Sequence, residues 1–199
     1  VADEFEKGVT GAGGKIVGRE FTNDKATDFT AILTSIKGTK PDLVFYGGMD
    51  AVAGPMLRQM RQLGIQAKLL GGDGVCTVEL PKLASGQIAD NQVVCAVAGG
   101  VDPAQRPAFD KFKADYKARF GTEVQIYAPY TYDATKVLAE AMVKAGSAEP
   151  AKYLPVLQKI SYPGITGTIA FDDKGDIRNG ALTLYTYKGG QRAELGVVR

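Results

Sequence analysis

A chain of 199 residues, 45% of them apolar, is long enough to bury one large core or two smaller ones and too apolar to be disordered. Its 24 basic and 22 acidic residues are interspersed and leave a formal charge of +2, which argues against a nucleic-acid surface; no apolar run approaches the roughly 18–20 residues that cross a bilayer, so it is not expected to span a membrane. There is no histidine and there are only two cysteines, so Ser-His and Cys-His nucleophile systems and a tetrahedral zinc site are excluded; any catalysis would rest on carboxylates, Lys or Tyr, and neither a metal nor a cofactor is expected.

Val1, Phe5 and Val9 recur at helical spacing, so the chain opens in mid-helix, as a segment cut from a longer polypeptide would, with no signal-peptide pattern. After the glycines at 11, 13 and 14, Lys15–Gly18 reads as a strand. Residues 27–38 form a predicted helix capped by Thr27 or Asp28, with Phe29, Ile32, Leu33 and Ile36 on one face and a stop at Gly38. Leu43–Tyr46 is a continuous apolar run of the kind buried on both faces of a parallel sheet. A helix over 53–65 follows, with Pro55 in its first turn and Gly64 ending it. Next come a strand in 67–74, a short helix around Pro81–Ala84 and a strand at Val93–Val97. This β-α-β-α-β alternation predicts an α/β fold: a doubly wound parallel sheet with right-handed crossovers.

A change of pattern at Gly99–Pro103 marks a crossover to a second unit. There the stripe Phe109, Phe112, Tyr116, Phe120 reads as core packing on a helix. A largely buried helix over 128–146 and a third over 151–160 follow; alternation around Asp173–Asp176 reads as strand, turn, strand.

Two strands end in a glycine pair beside an acid, Gly47-Gly48-Met49-Asp50 and Gly71-Gly72-Asp73-Gly74, at the carboxyl rim where ligands collect in open parallel sheets. The glycines around Asp73 carry no side chain that would block an approaching ligand; its carboxylate either accepts turn hydrogen bonds or faces a ligand cation. Asp50 has the same setting but is placed to cap the following helix. Tyr127, Tyr130 and Tyr132 cluster ahead of a helix, as core or as an apolar wall over a ligand. Gly8 to Lys15 imitates a phosphate loop but has the wrong spacing and joins helix to strand rather than strand to helix. Cys76 and Cys95 are compatible with two buried thiols or with one disulfide.

The segments TDFTAILTSIKGTKPDLVFYGG, GPMLRQMRQLGI, GGDG, YAPYTYDA and GTIAFDDKGDIRNG, in this order, resemble the periplasmic leucine/isoleucine/valine-binding proteins, the soluble type I receptors of branched-chain amino-acid ABC transporters. The resemblance covers the whole chain but only the carboxyl-terminal part of the family's length, somewhat more than half. It implies two α/β lobes closing on an amino acid in the cleft between them: residues 1–99 as most of lobe 2, 100–182 as the carboxyl-terminal part of lobe 1, and 183–199 as strands returning to lobe 2. It implies further that Asp73 receives the ligand ammonium where well-known members have Glu, that Met49 lines the site where they have Tyr, and that Tyr127 packs on the ligand side chain. The groups that hold the ligand carboxylate fall in the half of the family's chain not matched here, as does the opening strand of lobe 2. The implied partners are the amino acid and a membrane permease, the implied compartment is the periplasm, and an oxidising compartment implies a Cys76–Cys95 disulfide. The expected full-length form is a monomer, whereas half a lobe would expose apolar helix faces and could associate. The same fold in regulators that sense small amides or amino acids gives the alternative partner, a signalling protein; an enzyme built on carboxylates alone finds no paired-acid motif.

Overall fold

A computed structural model of the protein describes residues 1–99 and 106–198. These fall into two compact units, one made of residues 1–97 with 183–198 and the other of 98–182. The crossover expected at Gly99–Pro103 lies, beyond Gly99, outside the described residues.

With elements numbered in chain order through both units, the first unit holds α1 (Ala2–Gly11), α2 (Thr30–Gly38), β1 (Leu43–Tyr46), α3 (Asp50–Gln62), β2 (Lys68–Gly71), α4 (Leu80–Leu83) and β3 (Val93–Ala98), and, from the far end of the chain, β6 (Leu182–Lys188) and β7 (Gln191–Val198). The sheet order is β1-β2-β3-β6-β7. β1 pairs parallel to β2, with Tyr46 opposite Gly71, and β2 parallel to β3, with Gly71 opposite Cys95. Continuous apolar strands flanked by helices are what such a sheet requires. The core is Phe29 and Leu33 before and on α2, Leu57 and Met60 on α3, and Leu69, Val75, Leu80, Val93 and Tyr187, all essentially inaccessible. Cys76 and Cys95 are joined as a disulfide.

Three expectations for this unit are corrected. Lys15–Gly18 forms no strand: a cavity of about 380 Å³ lies between it and the open edge of β1, lined by Phe5, Val9, Ile32 and Ile36, so its backbone finds no ladder partner. α3 starts three residues before the predicted onset, which puts Pro55 inside the helix rather than in its first turn. The helix is held there by burial of Val52, Met56, Leu57 and Met60, which offsets the lost backbone bond. The third concerns Asp50 and is described with the site.

The second unit contains α5 (Arg106–Phe120), α6 (Ala128–Ala145), α7 (Pro150–Leu157), β4 (Ser161–Pro163) and β5 (Thr168–Ala170), with β4 and β5 antiparallel. Val137, Ala141 and Ile160 form its buried centre, with Val156, Leu157, Tyr162, Ile169 and Phe171 packed around them. α6 buries only the stripe Pro129, Asp133, Val137 and Ala141, not most of its surface. Asp133 is buried because its carboxylate accepts the Ile165 and Thr166 amides at 3.0 and 2.8 Å and the Thr166 hydroxyl at 2.6 Å, tying α6 to the β4–β5 loop. The aromatic stripe of α5 is also corrected. Tyr116 packs in a tilted arrangement on Phe112 and on Phe120, and Phe112 on Tyr132, but none is buried and Phe120 is 58% exposed. The turn at 172–175 joins only a single bridge, Phe171 to Ile177, since β5 has already taken β4 as its partner.

Candidate functional site

The register of β1 on β2 makes their two following loops leave the sheet side by side. In the first loop the Tyr46 ring lies over Gly48, where a Cβ would collide with the phenol. Burial raises the Tyr46 phenol above its ordinary pKa, partly offset by a hydrogen bond from the Met49 backbone. Met49 is extended and is the N-cap of α3, its carbonyl accepting the Val52 and Ala53 amides; its side chain is 53% exposed.

In the second loop Asp73–Val75 make one 3₁₀ turn directly after β2, closed by the Cys76 amide donating to the Asp73 carbonyl at 2.9 Å. The turn seats against the first loop through Gly74, whose missing Cβ would stand 2.5 Å from Met49 Sδ and 2.9 Å from the Gly48 carbonyl oxygen. Met49 and Asp73 are thus brought together at the carboxyl rim of the sheet. Asp73 is exposed, and among the described residues no side chain pairs with its carboxylate. A glycine-framed acid without a protein partner beside an exposed thioether is an arrangement that receives a cation with an apolar substituent.

Asp50 does not cap α3. It is the first residue of the helix, one position past the cap, and its Oδ2 accepts the Thr77 hydroxyl at 2.6 Å instead. That bond ties the Asp73 loop to the start of α3, where a carboxylate also suits the helix dipole. Tyr127 belongs to the second unit: it is the N-cap residue of α6, its carbonyl accepts the Thr131 amide and hydroxyl, and it is 44% exposed.

Three residues around the turn had no signal in the sequence. The Tyr187 hydroxyl reaches the carbonyls of Thr77, at 2.6 Å, and Val75, at 3.2 Å. Arg192 Nη1 donates to the Cys76 carbonyl at 2.8 Å, and its guanidinium lies over the Tyr185 ring, 4.5 Å from the centroid. Thr77 makes the bond to Asp50. Their hydrogen-bond partners are 27 to 116 positions away, beyond the reach of any local motif. Among the described residues no group of three His, Cys, Asp or Glu is placed to hold a metal, and no helix is long and apolar enough to cross a membrane.

Comparison with known proteins places these features in a lineage. The chain is 31% identical over 196 residues to a leucine-, isoleucine-, valine-, threonine- and alanine-binding protein of Pseudomonas aeruginosa, covering 98% of this chain and 52% of that one. It is 30% identical over 195 residues to a Leu/Ile/Val-binding protein homologue of Brucella abortus, covering 96% of this chain and 50% of the relative. The crystal structure of a leucine-binding protein from Thermotoga maritima superposes with a TM-score of 0.89 at 27% identity, over 100% of this chain and 56% of that chain. The chain therefore spans about half the length of the curated relatives it matches, and these relatives are named as binding proteins, not enzymes. The fold is that of the type I periplasmic binding proteins. Since the family's sequence pattern runs through residues 1–191, the chain belongs to the periplasmic binding protein family.

Proposed function

We propose that this chain carries part of the ligand site of a receptor for branched-chain or related aliphatic amino acids, which works outside the cytoplasm and delivers its ligand to an ABC permease. The observation that carries this reading is the exposed Asp73 carboxylate, with which no side chain among the described residues pairs, on a turn that seats against Met49 through Gly74. Asp73 receives the ligand ammonium, Met49 gives the aliphatic side chain an apolar contact, and Tyr127 gives a second one. Residues 1–99 with 183–199 correspond to the family's lobe 2, and 100–182 to the carboxyl-terminal part of lobe 1. The names of the Pseudomonas and Brucella relatives support the ligand class.

The test is isothermal titration of the full natural polypeptide with leucine, isoleucine and valine. At least one of the three is expected to bind saturably. Absence of binding by all three at millimolar concentration overturns the ligand class.

A further inference from the structure

Val75 ends the turn that Asp73 opens, Cys76 and Thr77 come directly after it, and the carbonyl of each of the three is taken by a side chain of the β6–β7 hairpin. We propose that Tyr187 and Arg192 are positioning residues for the ligand: they fix the Asp73 carboxylate by clamping the carbonyls of Val75, Cys76 and Thr77, two to four positions after it. The inference rests on the reading of Asp73 as the ammonium acceptor.

The geometry separates a clamp from ordinary packing. Tyr187 has no accessible surface, and its ring is spent on the core, but its hydroxyl is aimed at the turn. Burial, the largest influence on that phenol, holds its pKa well above the ordinary value, so it remains a donor across the physiological range. A single hydroxyl hydrogen shared between the Thr77 and Val75 oxygens sets the curvature of the segment between them. Arg192 takes the intervening carbonyl from outside, and its planar group is kept from swinging by the Tyr185 face beneath it. The remaining sides of the turn are fixed by the Cys76–Cys95 bridge to β3 and by the Thr77–Asp50 bond to α3. Of residues 73–77, Asp73 alone is exposed. A carboxylate held on a backbone with so few ways to move meets a cation without first being ordered, which is the source of affinity in a preorganised site.

The experiment compares Tyr187→Phe, Arg192→Gln and Asp73→Asn, singly and paired, in the full natural polypeptide titrated with leucine. Amide exchange of residues 73–77 is followed in the ligand-free state. Tyr187→Phe keeps the ring and so the core; Arg192→Gln serves should the buried variant fold poorly. Each is expected to weaken leucine about five- to tenfold and to speed exchange in 73–77 but not in 68–71. In the Asp73→Asn background each should have no further effect on leucine, a non-additivity that a general loss of stability would not produce. If Asp73→Asn binds leucine as the parent does, the reading of Asp73 falls and the inference with it. If Asp73→Asn weakens leucine but the hairpin variants do not, or if the losses combine in full, or if exchange in 73–77 is unchanged, the positioning role alone is overturned.

Discussion

Gly74, at this rim, matters for what it leaves out. Gly74 has an ordinary backbone conformation, so alanine would carry no conformational penalty there; its cost is contact alone. The added methyl meets Met49 Sδ, which can swing aside, and the Gly48 carbonyl, which cannot. Overfilling of this kind costs about 1–3 kcal/mol. Gly74→Ala is therefore expected to pry the two loops apart and weaken leucine binding more than Gly72→Ala, whose Cβ would meet no protein atom within 4 Å. Equal leucine affinities for the two variants by calorimetry would show that the seating of the turn on Met49 is irrelevant to the ligand. The contrast between the two acids follows the same logic. Asp50 and Asp73 look alike as sequence, each beside a glycine pair. One position along a helix puts Asp50 within reach of Thr77 and satisfies it, and one turn of 3₁₀ helix leaves Asp73 exposed, with no side chain among the described residues paired to it.

At the level of elements, the bridge from Cys76 to β3 closes a loop of 19 positions, which on chain-entropy grounds stabilises by about 3 kcal/mol. Urea unfolding of the double variant Cys76→Ser, Cys95→Ser should show a loss of about 2–4 kcal/mol against the oxidised parent; coincident curves would mean that β2, β3 and the turn between them hold without it. The helices and strands up to β3 were legible in the sequence because each is stated locally: Phe29, Leu33 and Ile36 by helical period, Leu43–Tyr46 by an unbroken apolar run, Gly38 and Gly64 by where they stop a helix. That the loops carrying Met49 and Asp73 share one rim was legible from the parallel alternation, whereas Met49 as a site residue came only from the family resemblance. What failed is what depends on a partner. Lys15–Gly18 has strand-like composition but no adjacent strand to bond among the described residues, and the α5 aromatics have helical spacing but none of them is buried. The clamp from Tyr187 and Arg192 is the extreme case, since nothing in the residues near Asp73 announces a hydroxyl 110 positions later.

Across the whole molecule, the first unit is discontinuous: residues 1–97 are completed by 183–198, with the entire second unit intervening. The seam is held by bonds that close very long loops. The Thr186 hydroxyl donates to the Val93 carbonyl at 2.7 Å, the Asn91 amide to the Tyr187 carbonyl at 3.0 Å, the Gly189 amide to Asp90 Oδ1 at 2.8 Å, and Arg192 to Cys76. Loop-closure entropy makes such contacts late events, so the sheet of the first unit cannot be finished until the end of the chain arrives. Without β6, the inner edge of β3 loses its neighbour, and Val93 and Cys95, inaccessible in the folded chain, face water. A polypeptide of residues 1–97 is accordingly expected to unfold without a cooperative transition. Adding a peptide of residues 183–198 in trans should restore cooperativity and slow the exchange of the Val93–Ala98 amides. The same peptide carrying Tyr187→Ala should do so poorly, because it removes both a core side chain and the hydroxyl on the Asp73 turn. Cooperative unfolding of residues 1–97 alone would show instead that β1, β2 and β3 with their helices are self-sufficient, and that the returning hairpin is only an addition to a finished sheet.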